Sequence, residues 1–326
     1  MKQAALTTAI LASLFSGAVS AATVYEDDTH KVDVKGRAVG MYYASDDDSE
    51  QGDQSYFRIG AAASTQVNEQ LYGLMKYEIE FDAKSEDSFD TRLGYAGLGG
   101  DWGELTYGRQ YGAYTLVSDF TDVLYEFGAD ASGTGTDRFG TGKASGVLKY
   151  SGEFNGLTLE AGYQFENDKI ENTNGDDAQS YGFAAKYALP MGISLGAAYN
   201  QGEGKDNSDD AKMTALSVAY DANKIYAALL YTTGENWKDK KGEENNTDYD
   251  GYEAVLGYSF DNGFSVLGGY NFLKKDAGGT TEDKTDYYTV GAQYKFNKQL
   301  RTFAEYKIDN IDGNEDVLAV ALRYDF

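Results

Sequence analysis

Side chains able to make or break bonds are scarce in this chain, which has one histidine and no cysteine. A Ser or Thr nucleophile activated by histidine would depend on His30, just ahead of the first patterned segment, and zinc finds no His or Cys set to bind it. Gly142-Lys143-Ala144 has the outline of a phosphate loop, but Asp137 stands where the first glycine belongs and Ala144 where Ser or Thr belongs. Carboxylates are plentiful: 53 Asp and Glu against 28 Lys and Arg give a net charge of -25, which disfavours nucleic acid as a partner and favours cations at the surface. The run Asp46-Asp47-Asp48 could gather divalent cations such as Ca²⁺ or Mg²⁺, or be a solvated charged face. The chain is therefore expected not to be an enzyme and to carry no cofactor. What remains is a pair of carboxylates four residues apart, Asp122 and Glu126, in a long connection, and basic residues spaced along alternating segments. Such a set suits fixed electrostatics.

Fixed charges need elements that hold them apart, and the pattern is that of strands. Val317 to Phe326 places Leu318, Val320, Leu322, Tyr324 and Phe326 on one face and Ala319, Ala321, Arg323 and Asp325 on the other, the period of two of a strand wet on one side. At the other end, Lys2, the apolar stretch Ala4 to Val19 and the small residues Ser20, Ala21 and Ala22 form a charged region, an apolar region and a cleavage site. Residues 1-21 are expected to leave as a signal peptide, and residues 22-326 to form the mature domain. No later apolar run approaches the roughly 20 residues of a helical span, so the mature chain is either soluble or crosses a membrane as a closed barrel. The mean hydropathy of -0.53 argues against helical spans only. The 28 Tyr and 16 Phe suit interfacial girdles, and a single Pro suits uninterrupted ladders.

Sixteen alternating segments follow, at residues 31-45, 55-66, 69-83, 89-101, 103-110, 142-153, 157-167, 178-189, 192-203, 211-222, 224-235, 248-260, 263-274, 285-296, 299-309 and 316-326. Short turns such as Asp221-Ala222-Asn223-Lys224 and Asp261-Asn262-Gly263 take turns with charged loops such as Asp46 to Asp53, Asn167 to Asp177, Glu203 to Asp210, Gly234 to Thr247 and Lys275 to Lys284. An even count and alternating connection lengths are those of an outer-membrane barrel with both termini in the periplasm. In residues 31-45 the uncharged face is Val32, Val34, Gly36, Ala38, Gly40 and Tyr42, small enough to be either a subunit contact or a lipid face. Alternation also sorts the bases. Arg58 lies opposite Phe57, Ile59 and Ala61, Arg92 lies opposite Leu93 and Tyr95, and Lys143 aligns with Ser145 and Lys149. An arginine facing lipid near the midplane costs ~2-4 kcal/mol, so these side chains are expected to point inward.

The longest connection, Tyr111 to Thr141, carries the family resemblance. The run Tyr107-Gly108-Arg109-Gln110-Tyr111-Gly112, followed by TDVLYEFGAD at 121-130, closely resembles the fifth strand and third loop of general diffusion porins of Gram-negative outer membranes. The resemblance extends from VDVKGRAVGMYY through TRLGYAGL to the closing RYDF and is strongest between Val32 and Gly146. It implies an all-β fold, a 16-stranded antiparallel transmembrane β-barrel whose third loop, residues 111-141, folds inward and narrows it. It also implies a homotrimer in outer-membrane lipid and lipopolysaccharide, passing small hydrophilic solutes and ions passively. The acidic loops add an expected mild cation preference. Carried across by position, Asp122 and Glu126 match the acidic side of the constriction, with Glu78 on the third strand as an addition, and Arg37, Arg58, Arg92 and Lys143 match the opposing basic cluster. The chain departs from the common pattern at Tyr125, where many relatives have Pro, and at Lys143, often Arg. Arg109 could serve the lumen, the mouth or a neighbouring subunit. The alternative function is an adhesin or receptor acting through its acidic external loops.

Overall fold

The computed structural model describes residues 21-84, 88-134, 139-166, 179-203, 210-237 and 247-326, so the signal-peptide expectation, positions 135-138 of the long connection and loop residues 167-178, 204-209 and 238-246 lie outside the described residues. Its strands are β1 (Ala22–Glu26), β2 (His30–Ser45), β3 (Gly52–Asp53), β4 (Tyr56–Asn68), β5 (Leu71–Asp82), β6 (Phe89–Gly100), β7 (Gly103–Tyr111), β8 (Lys143–Phe154) and β9 (Leu157–Gln164). They continue with β10 (Ser180–Leu189), β11 (Ile193–Gly202), β12 (Ala211–Ala222), β13 (Ile225–Glu235), β14 (Thr247–Ser259), β15 (Phe264–Ala277), β16 (Thr280–Lys295), β17 (Leu300–Asp309) and β18 (Val317–Asp325). One short helix, α1 (Thr115–Ser118), interrupts the long connection after β7.

Sixteen strands, β2 and β4 to β18, form one antiparallel ring, because β18 pairs with β2 as well as with β17. The two short strands β1 and β3 only flank β2. Closure satisfies every ladder without an edge, the condition for a sheet to sit in hydrocarbon. Among the described residues no helix is long and apolar enough to cross a membrane. Side-chain alternation gives the ring its two surfaces. On β18, Val320, Leu322 and Tyr324 are about half exposed while Ala319, Ala321 and Asp325 are buried. On β16, Tyr288, Val290 and Tyr294 face outward while Thr289 and Gln293 are buried. The exposed set is apolar and aromatic, the face a bilayer would solvate.

The small outer face of β2 has a definite occupant at one position. A Cβ on Gly36 would lie 2.1 Å from Cζ of Phe326, so the terminal ring occupies the space a side chain would need. Backbone bonds between Gly36 and Phe326 run both ways at 2.8 and 3.0 Å, and the ring stacks on Phe57 with centroids 6.2 Å apart.

Two segments depart from the sequence reading. The charged stretch Lys275 to Lys284 is a continued hairpin rather than a loop: β15 and β16 run on to Ala277 and Thr280, joined by Gly278 and Gly279 at φ 59° and 84°. Positive φ at both central residues is the two-residue turn that matches strand twist, which glycine supplies without strain. Cross-strand neighbours Lys274 with Asp283 and Lys275 with Glu282 give this polar ladder opposite charges. The second departure is at β6, where Leu93 is buried and Tyr95 packs against the inward cluster of Ala62, Tyr72 and Leu74. Both therefore face inward, contrary to the alternation argument that set Arg92 opposite them.

Candidate functional site

A β-bulge reconciles Arg92 with an inward Leu93. Between β5 and β6 the register steps from Glu78 opposite Leu93 to Ile79 opposite Thr91, leaving Arg92 as the extra residue. Thr91 stays on the outer side, where its hydroxyl meets Tyr77, and the bulge turns Arg92 to the lumen beside Leu93. Its Nε donates to Glu78 Oε1 at 3.0 Å, and its Nη2 donates to the Tyr111 hydroxyl at 3.3 Å.

Arg58 on β4 sits directly across from Glu80 on β5 and donates to it through Nε at 2.7 Å and through Nη2. Glu80 also lies 3.7 Å from Arg92 Nη1, and Glu78 lies 3.7 Å from Lys35 Nζ and 4.0 Å from Arg58 Nε. Glu78 is thus placed inside the basic cluster rather than with the loop acids, because it shares the inner face of β5 with Glu80 while the bases flank it on β2, β4 and β6. Arg37 is the neighbour of Arg58 across the β2–β4 ladder, but its Nε points to Asp325 at 3.3 Å, where Arg301 and Arg323 also converge. Lys143 lies over the Tyr111 ring, 5.9 Å from its centroid. Arg109 shares the outward parity of Leu105 and Tyr107 and donates to Thr91 O at 2.7 Å and Ser145 Oγ at 3.3 Å.

The connection after β7 is held against the same inner face on the far arc of the ring. Glu305, fully buried on β17, accepts the backbone N–H groups of Tyr125 and Glu126 at 2.8 and 2.9 Å. Glu253, buried on β14, accepts Ala131 N–H at 2.9 Å and the Thr121 hydroxyl. Ser217 and Tyr226 donate to the carbonyls of Val117 and Phe120, Thr232 to that of Ala131, and the Tyr287 hydroxyl to Asp130 at 2.6 Å. Tyr114 and Val117 pack against Ala184, Ala198 and Ala215, alanines whose small size leaves room for the loop. The described residues of this connection, otherwise poor in regular structure, acquire one position because the wall satisfies the backbone groups named above.

The loop acids differ in surroundings. Asp122 is exposed to the lumen, and the enclosing protein pushes its carboxyl above the ordinary range against the pull of Arg92 and Lys143. Burial raises Glu126 as well, opposed by the hydrogen bond from the Tyr43 hydroxyl. Asp119, beside α1 and open to the lumen, is raised to about 7 by the protein that encloses it and by the charge of Asp122. Glu80, Lys35, Tyr43, Tyr111, Glu253 and Glu305 were not distinguishable in sequence from other lumenal polar residues; inward parity was their one signal. His30 lies beside Asp27, 3.1 Å away, at the rim. Among the described residues no group of three or more His, Asp and Glu has the arrangement to hold a metal ion, Asp46 to Asp48 included.

Comparison with known proteins gives a consistent result. The family model described as Gram-negative porin matches residues 27–326. The chain is 35% identical over 364 residues to the outer membrane porin protein OmpD of Citrobacter koseri and 36% identical over 357 residues to the outer membrane porin PhoE of Enterobacter cloacae, each alignment covering 100% of both chains. Among solved structures, Salmonella typhi OmpF, in a complex with daunomycin, superposes with a TM-score of 0.85 at 28% identity, covering 94% of this chain and 100% of that one. A closed sixteen-stranded ring with an apolar outside and a charged inside, matched over nearly its whole length, belongs to the Gram-negative porin family, and the protein is a passive channel of the outer membrane.

Proposed function

We propose that the segment 111-141 is the constriction of this channel and that its carboxylates, facing the basic wall, sort small hydrophilic solutes by size, charge and polarity, with a mild preference for cations in a homotrimer. The observation that carries the reading is the anchoring of the loop to Glu253 and Glu305: it holds Asp122 and Glu126 on the β14–β17 arc while Arg58 and Arg92 stand on the β4–β6 arc. A transverse field across a water-filled neck orders water and rewards dipolar solutes that align with it, whereas an apolar solute disturbs that water without return. Charges separated by about a Debye length of ~8 Å are only partly screened. The external acids of Asp46 to Asp53 add a screenable attraction for cations at the mouth.

Deleting residues 119-130 should raise single-channel conductance and admit larger sugars in a vesicle-swelling assay, while Asp122→Asn with Glu126→Gln should lower the K⁺ over Cl⁻ preference. A folded deletion variant with unchanged conductance and solute cutoff would overturn the constriction reading.

A further inference from the structure

We infer that Glu80 is a selectivity-determining residue of the channel: its carboxylate faces the lumen between Arg58 and Arg92 and cancels part of their field. The inference rests on the constriction reading above and assigns a role within it to a residue of the wall. Three cations, Lys35, Arg58 and Arg92, meet two carboxylates, Glu78 and Glu80, on neighbouring strands. These five groups together carry one net positive charge where the three bases alone would carry three.

The two acids are not equivalent. The Glu78 side chain is 7% exposed and lies behind the guanidinium groups, whereas that of Glu80 is 27% exposed, more than Arg58 at 20% or Arg92 at 17%. A passing ion meets the Arg58–Glu80 pair at its carboxylate end as well as at its cation. A pair in contact acts at a distance as a dipole, whose field falls faster than that of a lone charge. Among the described residues no ion pair joins the loop carboxylates Asp122 and Glu126 to the wall they are anchored to, and these acids then set the sign of the neck. The direct cross-strand register of Arg58 and Glu80 fixes the pair, and the bulge that turns Arg92 inward brings the second guanidinium within 3.7 Å.

The test is the reversal potential of the full channel in a planar bilayer across a KCl gradient. For a separation of about 7 Å between a wall charge and a passing ion, taken as an order of magnitude, removing one charge changes the K⁺ to Cl⁻ permeability ratio by about two- to sevenfold, depending on how far salt screens it. Glu80→Gln should lower the ratio by that factor, and Glu80→Asp, which keeps the charge, should restore it; a purely structural role would not track charge in this way. Should Glu80→Gln fail to assemble, Arg58→Gln/Glu80→Gln must show the same drop relative to Arg58→Gln alone. A ratio that moves by less than about 1.5-fold overturns the role of Glu80 if Asp122→Asn/Glu126→Gln still shifts it in the same bilayer. If neither variant shifts it, the constriction reading falls as well.

Discussion

Replacing Glu305 by Ala should release the tip of the long loop without opening the barrel. Both Glu305 bonds to the loop end on backbone N–H groups, those of Tyr125 and Glu126, at 2.8 and 2.9 Å, and the residue is fully buried. Leaving a buried donor unsatisfied costs ~1-3 kcal/mol, so the two together weaken the docked tip by ~2-6 kcal/mol. At 1.4 kcal/mol per factor of ten, the undocked population rises by about 30-fold at the low end and more than 10⁴-fold at the high end. The ladders of β16, β17 and β18 do not involve this side chain, so the ring itself should keep its thermal stability. Amide hydrogen exchange at Tyr125 and Glu126 should accelerate by the same factor, and single-channel traces should gain current fluctuations absent from the parent. Glu305→Gln, which keeps one acceptor oxygen, should give a smaller effect of the same kind. Unchanged exchange at both amides in a folded Glu305→Ala channel would show that the loop is held by its apolar contacts and that the reasoning from backbone satisfaction is wrong.

Three further outcomes follow from other features. Asp119 is raised from 3.8 to about 7, and Asp122 and Glu126 are raised with it, so cation preference should decline as pH falls from about 7 toward the ordinary carboxylate range; the folded chain takes up protons in that window and is stabilised by them, and a flat reversal potential from pH 7 to 4.5 would contradict this. Gly36→Leu collides with the Phe326 ring and should cost ~1-3 kcal/mol, seen as a lower yield of correctly assembled barrel on refolding into detergent, with an unchanged yield as the contrary result. The small outer positions Val34, Ala38 and Gly40 leave room for a neighbouring subunit, so unboiled samples should run as a trimer on a gel and boiled ones as a single chain; a monomer by light scattering in mild detergent would refute the assembly.

The wall of this channel was legible in sequence wherever alternation was uninterrupted. The outward set on β18 and the inward Arg58 followed from period two alone, because a closed ring with lipid outside leaves no third environment for a side chain. Arg92 shows where that logic stops. Parity placed it inward by setting it opposite Leu93 and Tyr95, yet those residues face inward too, and the bulge that permits this is a matter of register between two strands, not of composition along one. The hairpin of Gly278 and Gly279 was hidden for a different reason: its charges resemble a solvated loop, and its strand character comes from cross-strand pairing. The partners of the site were the least visible. Glu80 meets Arg58 across 22 positions and Glu305 meets Tyr125 across 180, distances over which a sequence carries no local trace of contact.

The β2–β18 ladder joins Val317 to Ser45 and Asp325 to Arg37, an ion pair 288 positions apart, whereas each other neighbouring pair in the ring is joined by a single connection. Hairpins can therefore form one after another as the chain arrives, but the ring waits on its most distant segments, and loop closure of that length is the slow, entropically costly event of assembly. Until then β2 and the growing front each present a row of unpaired backbone groups, a template for another chain's strand in water and a cost of several kcal/mol per group in lipid. A product lacking the nine residues of β18 would keep fifteen strands and almost all of its outer surface, yet have two permanent edges. The seam thus acts as a checkpoint on completeness, making delivery of the final strand a condition of stable residence in the membrane.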